Sequence, residues 1–107
     1  MKIDINQLRF YHVKLRRLLI WLEKDTGLEF TITSQFRMKD PGVHGTLPLR
    51  GTDLRMRDKK TGKSLEDLIN KTWKYDFQRP RKKCAVLHGE GSFLHLHIQV
   101  HPLTQRK

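Results

Sequence analysis

Cysteine is nearly missing from this chain. Cys84 stands alone, which excludes an internal disulfide and any site built from several thiolates, so a bound metal would need histidine and carboxylate ligands. Long apolar runs are also missing. No segment approaches the roughly 18 consecutive apolar residues of a membrane span, and the opening MKIDINQLRFYHVKLRR has no uninterrupted stretch of signal-peptide type. A soluble chain made in the cytoplasm is expected, with any export by another route. Acidic residues are scarce: 11 against 22 lysines and arginines, a net charge of +11. Such a field excludes little but favours polyanions, and the basic residues are spread rather than gathered in one tail. Repeats and low-complexity tracts are absent. A chain of 107 residues with 36% apolar and 31% charged residues is expected to form one ordered domain around a modest core.

Asp4 and Gln7 have capping-box spacing, and Ile5, Leu8, Tyr11, Leu15, Leu18, Leu19 and Leu22 follow at three- and four-residue intervals. One amphipathic helix over residues 5–25 is expected, ended by Gly27. Leu28, Phe30 and Ile32 alternate with polar residues as in a half-buried strand. Residues 37–50 lack periodicity and hold Pro41, Gly42, Gly45 and Pro48, which predicts a long loop. Leu54 and Met56 alternate with Asp53, Arg55 and Arg57 in a short strand. After a turn at Lys59 to Gly62, Ser64 is the expected N-cap of a second helix carrying Leu65, Leu68, Ile69 and Trp73. Cys84 to His88 and Phe93 to His101 read as two strands joined by Gly89-Glu90-Gly91-Ser92. The expected class is α+β: a single domain, 1–107, with an antiparallel sheet packed against a long N-terminal helix and a second, shorter one.

The chemistry concentrates in His95-Leu96-His97-Ile98-Gln99-Val100-His101. Strand alternation sends Leu96, Ile98 and Val100 to the core and places His95, His97, Gln99 and His101 on the opposite face. Neutral imidazole is a common zinc ligand, and one strand seldom completes a site that needs about three protein ligands. His44 and Asp53 supply a further imidazole and carboxylate, with Asp53 on the face opposite Leu54 and Met56. His12, between apolar turns of the first helix, reads as structural, and the role of His88 stays open.

The run Phe30-Thr31-Ile32-Thr33-Ser34-Gln35-Phe36-Arg37, then His44, Gly51-Thr52-Asp53-Leu54 and His95-Leu96-His97, resembles the zinc D-alanyl-D-alanine carboxypeptidases and phage L-alanyl-D-glutamate endolysins. These belong to the group containing lysostaphin and the hedgehog signalling domain. The resemblance spans Phe30 to Val100. It implies a zinc-dependent peptidase of the bacterial cell wall, with Zn2+ held by His44, Asp53 and His97. His95 would assist catalysis, Arg37 would steady substrate or oxyanion, and peptidoglycan stem peptides or cross-links would be the substrate. Action at the wall or periplasm after release would follow. Three positions depart from the family pattern: the His44 to Asp53 spacing is longer, Gly42 replaces the usual serine, and Leu94 stands where many members carry an acid. General-base work would then fall to His95, with Glu90 a weaker candidate.

Other readings use the same strand. His95-Leu-His97-Ile-Gln99 after Gly91-Ser92 resembles the histidine-triad nucleotide hydrolases and transferases, which would make His97 a nucleophile without metal. The His-apolar-His pattern also resembles metal-dependent endonucleases of single-stranded DNA, with Tyr11 offered as nucleophile. A non-catalytic basic binding domain is the remaining alternative; Trp21, Phe30 and Trp73 at core-like or helical positions argue against an aromatic nucleic-acid platform.

Overall fold

In a computed structural model, the chain is described over residues 11–29 and 49–107, with the backbone also described at 32–34. The expected helix start at Ile5 and Leu8, Phe30, and the loop bearing Arg37 and His44 lie outside these residues. The first helix, α1, spans Val13–Thr26 and buries Leu15, Leu18, Leu19 and Leu22, as the periodicity requires. His12 is its N-cap rather than a member of its interior: Nδ1 accepts from the Lys14 N–H at 3.1 Å. At the other end Gly27 adopts φ 68°, and its N–H returns to Glu23 O at 2.9 Å.

The cap at His12 carries a pH dependence. Burial, then the cations Lys14, Arg50 and Arg16, hold the His12 imidazole below its ordinary pKa. The unfolded chain therefore takes up the proton first, so stability is full above the ordinary value of about 6.5 and falls as pH drops through the window beneath it. Protonation at Nδ1 also removes the cap acceptor, which is worth about 1 kcal/mol. His12→Asn keeps a cap without titrating and is expected to flatten this part of the stability–pH curve, measured by urea unfolding between pH 5 and pH 7.5. An identical curve for both proteins would contradict the assignment.

The second helix, α2, spans Lys59–Thr72, and Asp58 caps it by accepting from the Thr61 N–H at 2.7 Å. The expected start at Ser64 is thus too late. Gly62, read as a turn residue, is helical and buried, and a Cβ there would sit 2.7 Å from Leu87 Cδ1. Its lack of a side chain lets the helix approach the sheet. The strands are β1 (Ile32–Ser34), β2 (Gly51–Arg55), β3 (Trp73–Lys74), β4 (Ala85–His88), β5 (His95–Gln99) and β6 (Gln105–Arg106). An antiparallel sheet runs β1-β2-β5-β4, and β3 pairs with β6 in a separate two-stranded ladder. This is the α+β domain expected, an antiparallel sheet with two helices. Among the described residues no helix is long and apolar enough to cross a membrane.

The edge of β4 would expose unpaired backbone groups, and α2 covers it with side chains. Asn70 donates to Ala85 O at 2.8 Å and accepts from Ala85 N at 3.0 Å, while Glu66 accepts from Leu87 N at 2.7 Å. One core face of the sheet presents Leu54, Leu96 and Ile98, all fully buried, to the leucines of α1 and to Leu65 and Ile69 of α2. Leu96 stands in register between Leu54 and Leu87. Leu96→Ala is expected to cost about 3 kcal/mol, the range for a buried leucine whose cavity cannot collapse. Urea unfolding measures it, and a loss below about 1 kcal/mol would place Leu96 outside the core.

Candidate functional site

The opposite face of the sheet is polar because β2 and β5 alternate in step. Register pairs Asp53 with His97, Arg55 with His95 and Gly51 with Gln99; β4 adds Val86 beside His97 and His88 beside His95. Ser34 pairs with Asp53 from β1, after a register shift between Ile32 and Ser34. The result is two adjoining rows, one holding Asp53 and His97, the next holding Arg55, His95 and His88.

Asp53 Oδ1 lies 2.8 Å from His97 Nδ1, and both side chains are largely buried at 15% and 19% exposure. Burial of a carboxylate is tolerated when it accepts such a hydrogen bond, and the bond in turn fixes which ring nitrogen carries the proton. On the other side, His97 Nε2 lies 3.4 Å from Gln99 Oε1. The Gln99 amide nitrogen donates to Lys83 O at 2.8 Å, so its oxygen is the atom that faces His97. His95 Nδ1 lies 2.9 Å from Phe93 O and donates to it, which leaves Nε2 for a ligand. The His88 ring stands 5.6 Å from that of His95 and 6.5 Å from that of His97. Three imidazoles therefore crowd one patch of sheet.

Comparison of the chain with family models, curated proteins and solved structures found no match. The site has to be read from its own geometry.

That geometry corrects the zinc reading. Among the described residues no group of three or more His, Cys, Asp or Glu is placed to hold a metal ion. A zinc centre needs about three donor atoms within roughly 2 Å of one point. Asp53 and His97 do come together, but as a carboxylate hydrogen-bonded to an imidazole. His95 lies two residues along the strand, about 7 Å away, with Nδ1 turned to Phe93 O. His44 and Arg37, the third ligand and the oxyanion residue of that reading, lie outside the described residues. With the zinc ion fall the zinc-metallopeptidase activity and the peptidoglycan-degrading endolysin role built on it.

Other expected participants are also placed elsewhere. The strand ends at Gln99, and a turn closed by Thr104 N–H to His101 O at 2.8 Å carries His101 off the polar face. Its ring packs 5.6 Å from Tyr75, with Nδ1 3.9 Å from the Asp76 carboxylate. Pro102, which cannot continue a ladder, follows it. Glu90 is exposed and paired with Lys59 at 2.7 Å. Tyr11 is buried at 3% exposure, ahead of α1, and so is not presented as a nucleophile for nucleic acid. Cys84 is fully buried, and that burial pushes its thiol up to about 12, which leaves it inert. Sequence alternation found His95, His97 and Gln99 but not Arg55 or His88 as their partners, since these depend on the β2–β5–β4 register.

Proposed function

We propose that the polar face of the sheet is an acid–base centre that acts on an anionic ester without a resident metal, with His97 moving the proton. The observation that carries this reading is the largely buried Asp53–His97 pair at 2.8 Å. Asp53 accepts the hydrogen bond from Nδ1–H, orients the ring and offsets the charge that develops on it, so Nε2 is the nitrogen that exchanges a proton. When Nε2 takes a proton from an attacking water, the Gln99 oxygen is in place to accept the new N–H. That proton then passes from His97 to the leaving oxygen, which returns the ring to its starting form. Arg55, exposed beside His95, supplies positive charge for the anionic group, and His88, exposed on the other side, can offer a ring N–H. The net charge of +11 raises the local concentration of such ligands.

We also propose that the scaffold is related to that of the zinc carboxypeptidases and endolysins named above. The register of Ser34, Asp53 and His97 across three adjacent strands supports it, because their order and spacing carry the resemblance. The acid–base proposal does not depend on this relationship. Its test is hydrolysis of bis(p-nitrophenyl) phosphate, an activated anionic ester, by protein held in excess EDTA. Turnover above the buffer rate, lost in His97→Gln, supports the reading. Equal rates for the native protein and His97→Gln overturn it.

A further inference from the structure

A cavity of about 840 Å³ opens where β2 leaves the sheet and α2 begins, and Arg55 belongs both to its lining and to the histidine face. Sites for small ligands commonly enclose roughly 300 to 1,000 Å³. Met56 and Leu65 form an apolar floor, Thr61 and Ser92 supply hydroxyls, and Arg55 and Arg57 supply charge. Neither arginine has an ion-pair partner among the described residues. Asp58, which follows Arg57 in the chain, accepts from Thr61, and Glu90 pairs with Lys59. Glu29 and Asp58 are the acids on the lining, two against the two guanidiniums, and neither is ion-paired with Arg55 or Arg57.

Beside Ser92 stands Phe93, which is 81% exposed, the most exposed large apolar side chain described. Its backbone is nevertheless pinned. The Phe93 N–H donates to Glu90 O at 3.0 Å, its carbonyl accepts from His95, and Met56 N–H donates to Leu94 O at 3.1 Å. That last bond ties the segment that leaves β2, from Arg55 to Arg57, to the residue after Phe93. An aromatic ring held out in water on a fixed backbone, one residue along the chain from a cavity lined by two guanidiniums, offers the two parts that a nucleotide needs: a stacking face and a phosphate site.

We propose that the cavity binds a nucleoside phosphate, with the base stacked on Phe93 and the phosphate between Arg55 and Arg57. The inference rests on the acid–base reading only for what happens next: a phosphoester lying along β2 from Arg55 toward Asp53 would reach His97. A free nucleotide and one within a single strand present the same chemistry to this site.

The test is titration of the isotope-labelled protein with adenosine 5′-monophosphate, adenosine, ribose 5-phosphate and a ten-residue oligoadenylate, followed through backbone amide shifts. The monophosphate is expected to shift Arg55, Thr61, Ser92 and Phe93, and to bind about tenfold or more tightly than either of its halves. Phe93→Ala, at an exposed side chain that the fold does not use, is expected to weaken the monophosphate about tenfold while leaving ribose 5-phosphate unchanged. Arg55→Met with Arg57→Met is expected to weaken both. Tighter binding of the oligoadenylate than of the monophosphate supports the proposal with a single strand as the source; equal binding supports it with a free nucleotide. Shifts scattered over the basic surface, or a monophosphate affinity indifferent to Phe93→Ala, overturn it. Asp53→Asn separates the two proposals, because it is expected to remove turnover and leave monophosphate binding in place. Binding at Phe93 with no turnover in any form refutes the acid–base reading alone.

Discussion

His97→Gln is expected to lower kcat/KM for an anionic ester by about a hundredfold or more, the scale of a lost general acid–base group. Glutamine fills similar space and retains polar atoms but cannot carry a proton between water and a leaving group. Asp53→Asn is expected to be nearly as damaging although nothing is truncated, with a loss approaching about a hundredfold. An amide can donate to Nδ1 as well as accept, which turns the ring to the other tautomer, fixes its proton on Nε2 and leaves no lone pair there to take a proton from water. The two losses should not add, because both variants remove one device. Thermal unfolding and the far-ultraviolet spectrum of Asp53→Asn should match the native protein, since the change preserves shape. Arg55→Met should instead raise KM more than it lowers kcat, as expected of a residue that holds the anion. Comparable losses from His101→Gln would sink this account, because His101 lies off the face beside Tyr75 and Asp76.

Gly89→Ala is expected to be the most disruptive single-methyl change in the described residues, at about 3 kcal/mol or more. Gly89 sits at φ 85°, in the left-handed region that costs a side chain, and a Cβ there would lie 2.3 Å from Phe93 O. That oxygen belongs to the backbone, so no rotamer change relieves the contact. Gly91 is the control: it has φ 55° but nothing within 4 Å of an added Cβ, so Gly91→Ala should cost only about 1 kcal/mol. The clash at Gly89 also reaches the site, because Phe93 O is the acceptor that orients His95. Urea unfolding of the two variants distinguishes them, and equal losses would mean that the contact with Phe93 is not made.

The parts of this fold that follow from period and alternation were legible beforehand. Leu15, Leu18, Leu19 and Leu22 face the core of α1 as their spacing requires, and Leu96 and Ile98 alternate with His95, His97 and Gln99 in β5. Asp53 was expected on the histidine side of the sheet and stands in register with His97. What stayed hidden depends on contacts distant in sequence. Gly62 looks like a turn until Leu87 is packed over it, and Asp58 becomes the cap because Thr61 answers it. Trp73–Lys74 and Gln105–Arg106 are too short to show a period, and they pair only because the chain returns, Lys107 N–H donating to Thr72 O at 2.8 Å. His101 kept the alternation of its strand on paper, but the turn through Pro102 to Thr104 takes it away.

The zinc expectation went astray at a definite step. Residue types named plausible ligands, and one pair of them does meet, yet the same two residues satisfy each other in a geometry that also suits proton transfer. An Asp–His pair and two-thirds of a metal site look alike in sequence. They differ in what a chelator does, and the rate of bis(p-nitrophenyl) phosphate hydrolysis after exhaustive dialysis against EDTA reads that difference directly. The acid–base account predicts an unchanged rate that disappears in His97→Gln. A rate abolished by EDTA and restored by stoichiometric zinc would contradict it.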